Sequence, residues 1–348
     1  MNAKSASASR RIRYAVVGLG HISQVAVLPA FAHAKENSEL RALVSGDAAK
    51  LQELSKTYDA PLTYSYQQYQ ECLQSGEVDA VYIALPNSMH CEYSVAAARA
   101  GVHVLCEKPM AVTQVECGQM IREARQHQVK LMIANRLQFD SAHLEAVKMV
   151  ASGQLGIARI FNSVFTLLIK EGNVRLDKTL GGGPLYDIGI YCINAARRLF
   201  GEEPSEALAI GASMEDPRFA EVDETTSATL RFSNGRIATF TCSFGAAREA
   251  VYEVVGTKGV LRCDPAYQRA GVATLYLSRD GQKQELAFTH QDQFAQELSE
   301  FSNCVLEGRE PLASGEEGLA DVRIIEALLR SAESGRPVSL AAQPRAAV

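Results

Sequence analysis

The sequence predicts an α/β chain in two parts: a doubly wound parallel sheet at the N-terminus, then an α+β unit built on a large, mostly antiparallel open sheet. Three observations carry this. Short β-rich runs alternate with helical patterns from residue 11 to 134, which is how a parallel sheet with helices on both faces reads. The first run ends in the tight turn Gly18-Leu19-Gly20. After Asn135 the alternation gives way to successive strands separated by turn residues such as Ser233-Asn234-Gly235 and Asp280-Gly281, which favour antiparallel hairpins.

Element by element, the first strand is expected at 12–17 and a helical pattern starts near 22, with Pro29 expected to break or restart it. Strand 39–44, helix 48–58, strand 79–84, helix 90–100, strand 102–106, helix 114–127 and strand 130–134 complete the first unit. The second opens with a helix at 140–151 and a long strand-like run at 158–169, then a Gly-rich loop and a helix at 185–200. Strands follow at 205–213, 224–232, 236–244, 250–256, 259–263, 272–278 and 283–288. Helices at 292–307 and 315–334 end the pattern, the last stopped by Gly335 and Pro337.

At 348 residues with 47% apolar side chains the chain fills two cores, read as an arm at 1–10, a first domain at 11–134 and a second at 135–348. A net charge of −5 with scattered Lys and Arg argues against a nucleic-acid or membrane-surface partner. Eight cysteines without a C-x-x-C pair read as reduced thiols. Arg10-Arg11 is followed by no export-type apolar stretch, and no run of about 18 apolar residues spans a membrane, so a cytoplasmic protein is expected. The histidines show no metal-ligand spacing, and no metal is expected.

Gly18-x-Gly20-x-x-Ser23, with a strand before it and a helix after it, reads as the phosphate turn of a dinucleotide-binding Rossmann unit, serine replacing the usual third small residue. Gly18, Gly20, His21 and Ile22 then face the pyrophosphate at a helix N-terminus. The second strand ends in Ser45 where an NAD site places a carboxylate, and Lys50 follows, so the pair favours the 2′-phosphate of NADP. Asp47 reads either as a helix cap or as a ribose ligand that would admit NAD. Leu85, Pro86, Asn87 and His90 lie at the carboxyl edge where a cofactor crosses, with Asn87 on the nicotinamide ribose and His90 either near the cofactor or only starting a helix.

In order and spacing, Gly18-x-Gly20, Pro86-Asn87-x-x-His90, Glu107-Lys108-Pro109, Asn135-Arg136 and the stretch from Gly181 to Gly201 resemble the glucose-fructose oxidoreductase, inositol dehydrogenase and MocA family over residues 11–340. Many members carry histidine two residues after the glycine of Asp187-Ile188-Gly189, whereas this chain has Tyr191. With Ser45 and Lys50, that departure is most similar to the branch of glucose-fructose and aldose-aldose oxidoreductases, xylose dehydrogenases and dihydrodiol dehydrogenases. The resemblance implies NADP, a sugar or polyol substrate, and a homodimer or homotetramer formed through the C-terminal sheet. It implies oxidation of an aldopyranose at C1 to the lactone, in a ping-pong cycle with a second sugar if NADP stays bound. A simple glucose, xylose or dihydrodiol dehydrogenase with exchanging cofactor is the alternative, and a sugar- or NADP-sensing binding protein is another.

Hydride removal from a carbinol needs a base on the hydroxyl. Tyr191 is the candidate, with Lys108 stabilising its phenolate and holding the reacting oxygen, and Asp187 one helical turn earlier facing the same cleft. Glu107 is expected at the cofactor end of this turn as an anchor, Pro109 to hold a cis peptide, and Arg136 with Asn135 to contact cofactor or substrate. Arg175 and Lys178 are further candidates for substrate hydroxyls.

Overall fold

The computed structural model describes residues 10–341; most of the arm expected at 1–10 lies outside them. Six parallel strands form the first sheet: β1 (Ile12–Val17), β2 (Ser38–Val44), β3 (Leu62–Tyr64), β4 (Ala80–Ile83), β5 (His103–Glu107) and β6 (Leu131–Ala134). Their order is β3-β2-β1-β4-β5-β6, so the chain reverses direction of travel between β1 and β4. That switch point opens a crevice at the carboxyl ends of the strands, where ligands bind in such sheets. Strand β1 from Tyr14 onward and β4 throughout are buried, which fits their unbroken apolar runs there.

Nine strands make the second sheet: β7 (Ala158–Thr166), β8 (Pro204–Ala212), β9 (Thr225–Phe232), β10 (Ile237–Ser243), β11 (Glu249–Gly256), β12 (Gly259–Asp264), β13 (Val272–Arg279), β14 (Gln282–Thr289) and β15 (Val338–Ser339). All neighbouring pairs are antiparallel except β7 with β10. The period-2 alternation sends Phe161, Phe165, Phe240 and Tyr252 inward, against helices Ser141–Ala151 and Ile190–Phe200. Ile160, Val164, Leu208, Ile210 and Ile237 point outward.

Several boundaries depart from the sequence reading. Pro29 does not break its helix: the backbone runs from residue 21 to 30, with a wide π turn at Ser23–Val27 before α geometry resumes at Leu28–Ala30. Pro29 thus stands at the start of the α segment, where a missing N–H costs little. The helix expected from 185 also begins with a π turn, Leu185–Gly189. Strand β7 ends at Thr166 rather than 169, although Leu167 and Ile169 still donate to Ser243 and Phe244 carbonyls at 2.9 Å. The edge strands β3 and β15 and the helix Tyr69–Gln74 have no counterpart in the sequence reading.

Two C-terminal helices pack across the division at 134/135. Helix Gln293–Glu307 returns to the first sheet, where Phe294, Leu298 and Phe301 share a core with Ile12, Tyr14 and Leu43. Helix Gly315–Ser334 is packed between the sheets, with Val322 in the core of the first and Ile325 and Leu328 in that of the second. Its Gly315 and Gly318 have no room for a side chain: a Cβ at 318 would lie 2.7 Å from Ile133 and 3.0 Å from Met110. Arg197, fully buried, ties the same helix to Ile190–Phe200 by pairing with Asp321 at 2.6 Å, Glu203 at 2.7 Å and Glu317 at 3.1 Å. All eight cysteines are free and buried. Among the described residues no helix is long and apolar enough to cross a membrane.

Candidate active site

The switch-point crevice and the loops of the second sheet enclose one cleft of about 720 Å³. At one end lies the turn after β1. Gly18 has φ of +92°, and a Cβ there would fall 2.6 Å from the Ala84 carbonyl oxygen, so only glycine lets the turn approach β4. A Cβ on Gly20 would meet nothing within 4 Å, which leaves its backbone open to the cleft beside His21 and Ile22. Ser23 earns its place by more than smallness, donating from Oγ to the Gly18 carbonyl at 2.5 Å. A backbone cradle bare of side chains at a helix start suits a pyrophosphate.

Ser45 and Lys50 also line this end, but both interact with Asp47. The Ser45 hydroxyl accepts from the Asp47 N–H at 3.1 Å, and the Asp47 carboxylate caps helix Ala48–Thr57 through the Lys50 N–H while pairing with Lys50 Nζ at 3.5 Å. Hydrogen bonding to Lys50 holds the Asp47 carboxyl below its ordinary pKa. Asp47 is therefore the cap of the sequence reading. Tyr66 faces the same end, its ring 3.2 Å from where a Gly46 Cβ would stand. It occupies a short 3-10 turn and belongs to no motif, so nothing in the sequence singles it out.

Three expectations for the middle of the cleft change. Asn87 lines it with Leu85 and Pro86, yet the Asn87 amide donates to the Gly181 carbonyl at 2.8 Å and ties the two units together. His90 is fully buried with its ring nitrogens 2.8 and 2.9 Å from the Pro109 and Leu85 carbonyls, and burial lowers its pKa. It clamps two loops and has no nitrogen left for a cofactor. The Asn135 side chain accepts from the Leu137 N–H and caps a 3-10 turn.

At the far end, Lys108 sits just after β5, and the Lys108–Pro109 peptide is cis. Lys108 Nζ donates to the Asp187 carbonyl at 2.8 Å and to its carboxylate at 3.1 Å, while Arg175 Nε takes the other carboxylate oxygen at 2.6 Å. Burial alone would raise the Asp187 pKa, but Lys108 and Arg175 outweigh it and hold it at about 2. Burial likewise opposes the Lys108 ammonium, yet Asp187, Tyr191 and Glu107 keep its pKa above the ordinary lysine value. Glu107 accepts from the Tyr82 hydroxyl at 2.9 Å and anchors the turn; burial raises its pKa. Behind it lies Glu297, wholly buried, whose carboxyl oxygens have no hydrogen-bond partner among the described residues. Burial, then the Glu107 carboxylate, push its pKa well up.

Tyr191 completes this end. Its ring centroid is 5.0 Å from Lys108 Nζ and 4.7 Å from the Arg136 guanidinium, and Phe165 and Tyr267 flank it at 5.8 and 6.0 Å. Arg136 lines the cleft against the Tyr191 ring. Three of its donors go to the Tyr267 and Gln268 carbonyls and to Gln293 Oε1, at 2.7 to 3.0 Å. Lys178 is absent from the cleft wall; its exposed side chain lies beyond it, and its N–H donates to Glu221. Arg248 and Arg269, which the sequence reading passed over, stand on that wall.

Family models match both units: an oxidoreductase family with an NAD-binding Rossmann fold over residues 12–135, and the GFO/IDH/MocA C-terminal domain over 143–262. A D-xylose 1-dehydrogenase [NADP(+)] of Haloarcula marismortui is 32% identical over 339 residues, covering 94% of this chain and 93% of that protein. The crystal structure of aldose-aldose oxidoreductase from Caulobacter crescentus, complexed with glycerol, superimposes with a TM-score of 0.91 at 39% identity, covering 95% of this chain and 100% of the other. A 3-ketoreductase from Actinomadura kijaniata, solved with NADP and TDP-benzene, gives 0.85 at 27% identity, covering 92% and 98%.

Proposed function

The chain belongs to the GFO/IDH/MocA family of oxidoreductases with an NAD-binding Rossmann fold, and from that premise we propose that it oxidises an aldose at C1 to the lactone with NADP. The observation that carries this reading is the meeting of Lys108, from the first unit, with Asp187 and Tyr191, from the second, at the end of a nucleotide-sized cleft. The bare cradle at Gly18–Gly20 and the hydroxyl and ammonium of Ser45 and Lys50 fit a phosphorylated dinucleotide. When bound, NADP supplies the hydride acceptor.

The chain's own residues handle the proton. The Tyr191 phenol oxygen has no hydrogen-bond partner among the described residues and opens on the cleft, so in its phenolate form it receives the proton of the C1 hydroxyl and becomes the phenol. Lys108 beside the ring and Arg136 over its face stabilise the phenolate that accepts it. As the C1 hydrogen departs with its electron pair, the C1–O bond gains its second bond and the lactone forms. Asp187 keeps Lys108 aimed at the reacting oxygen. In reduction Tyr191 returns the proton.

Similarity to the aldose-aldose enzyme supports a second sugar as acceptor in a ping-pong cycle; similarity to the xylose enzyme supports exchanging NADP. The apolar outer face of the second sheet supports a homodimer or homotetramer. The test is a panel of aldoses, alditols, inositols and diols with NADP and NAD, followed by reduced-nicotinamide absorbance, with sugar pairs also assayed without added NADP. Aldoses should react, and NADP should exceed NAD by about tenfold, the worth of one charge-assisted hydrogen bond. Turnover confined to inositols or diols contradicts the reading.

A further inference from the structure

The reaction end of the cleft holds more positive charge than proton transfer uses. Lys108 and Arg175 share the carboxylate of Asp187. Arg136, Arg248 and Arg269 line the same end and have no carboxylate within ion-pair distance among the described residues. Gln268 gathers these three: its carbonyl accepts from Arg136 Nη1 at 3.0 Å, its side-chain oxygen from Arg248 Nη2 at 2.7 Å, and Arg269 is its neighbour in the chain. Arg248 and Arg269 are exposed, on the loops that follow β10 and β12. The Arg269 guanidinium is wholly uncommitted: it makes no hydrogen bond within the described residues. Partial burial, then Arg136, Arg248 and Arg175, hold its pKa below the ordinary arginine value against the opposing pull of Tyr191.

Like charges gathered without counter-ions cost free energy, and amides would serve sugar hydroxyls as well. The phosphates of the dinucleotide do not resolve this, because the reading above places them at Gly18–Ile22 and Ser45 with Lys50. The unmatched anion belongs to the substrate. We propose that Arg248 and Arg269 form an oxyanion subsite, and that the substrate is an acidic aldose bearing a phosphate or carboxylate remote from C1. This rests on the proposed aldose oxidation and names its substrate class. Two guanidinium forks at a cleft mouth suit either oxyanion by bidentate hydrogen bonding. Arg136, with three of its donors on Gln293 and the Tyr267 and Gln268 carbonyls, adds charge beside them.

The test compares glucose, glucose 6-phosphate and glucuronate on NADP-loaded protein, by initial rates and by calorimetric binding, with wild type and the double variant R248Q/R269Q. At least one acid should exceed glucose about tenfold in kcat/KM and in affinity; which one does so distinguishes phosphate from carboxylate. In the double variant that acid-to-neutral ratio should fall to near one, mainly through KM. Glucose equal to both acids, or a ratio that survives substitution, overturns the subsite and leaves aldose oxidation standing. Arginine-dependent binding of an acid without oxidation of any sugar keeps the subsite and removes the activity. If the double variant fails to fold, R269Q alone serves, since the Arg269 side chain holds nothing else in place.

Discussion

Asp187 holds two cations with one carboxylate, and this single residue links stability to the geometry of the site. Its pKa of about 2 lies below the ordinary 3.8, so the stability it contributes is present above pH 4 and lost as pH falls toward 2. Asp187→Asn should therefore cost about 2 kcal/mol at pH 7, and the gap to wild type should close between about pH 4 and 2. Urea unfolding of both proteins across that range checks it; a gap that does not change with pH contradicts the pairing. The meeting of Lys108, Asp187 and Tyr191 in one cleft was legible in the sequence because each stands where a motif meets the end of an element. Arg248, Arg269 and Tyr66 were not, since a lone side chain on a loop or short turn has no periodicity to mark it. Arg136, His90 and Asn87 were found as cleft residues, but the protein partners they take were not. Which acceptor a polar side chain takes depends on the carbonyls that folding brings beside it, here those of Tyr267, Leu85, Pro109 and Gly181.

Two glycines in helices show how elements, rather than residues, decide the sign of a substitution. Gly118 lies in helix Gln114–Gln126 with only the end of the flexible Arg122 side chain near a new Cβ, at 3.3 Å. Gly118→Ala should stabilise by about 0.5–1 kcal/mol through helix propensity. At Gly318 the same gain meets Ile133 and Met110 at 2.7 and 3.0 Å, and overpacking of about 1–3 kcal/mol should win. Thermal or urea melts of the two variants should move in opposite directions; a stabilised Gly318→Ala would mean the helix can shift away from β6. The long elements were legible nearly to the residue, as with β1 and with helix Gln114–Gln126, whose Thr113 and Glu116 form a capping box. Strands β3 and β15, of three and two residues, are too short to show alternation and exist because a neighbouring strand offers an edge. The π turn at Leu185–Gly189 follows from no propensity; it sets Asp187 and Tyr191 on the cleft where an α turn was expected.

At the scale of the whole molecule, the order of the two units was readable from the change of period at Asn135, whereas the return of Gln293–Glu307 to the first sheet was not. An amphipathic helix records that it has an apolar face, not which sheet that face will cover. The second sheet is covered on one side only: Ile210 remains 69% exposed and Ile160 and Ile237 42% on the other. In the proposed oligomer a second copy covers this face. Ile210→Lys should shift the sedimenting species toward monomer while leaving far-UV circular dichroism unchanged. An unaltered mass would place the contact elsewhere.

The central claim is that Tyr191, held against Lys108, takes the proton as hydride leaves C1. Stopped-flow single turnover of NADP-loaded protein with an aldose, normal or deuterated at C1, tests it in wild type and Tyr191→Phe. Deuterium should slow the rise of reduced-nicotinamide absorbance, and the variant should lose a further factor of about 10²–10⁴ with NADP affinity retained. Equal rates for the two proteins, or absorbance that never develops with any aldose, would contradict it.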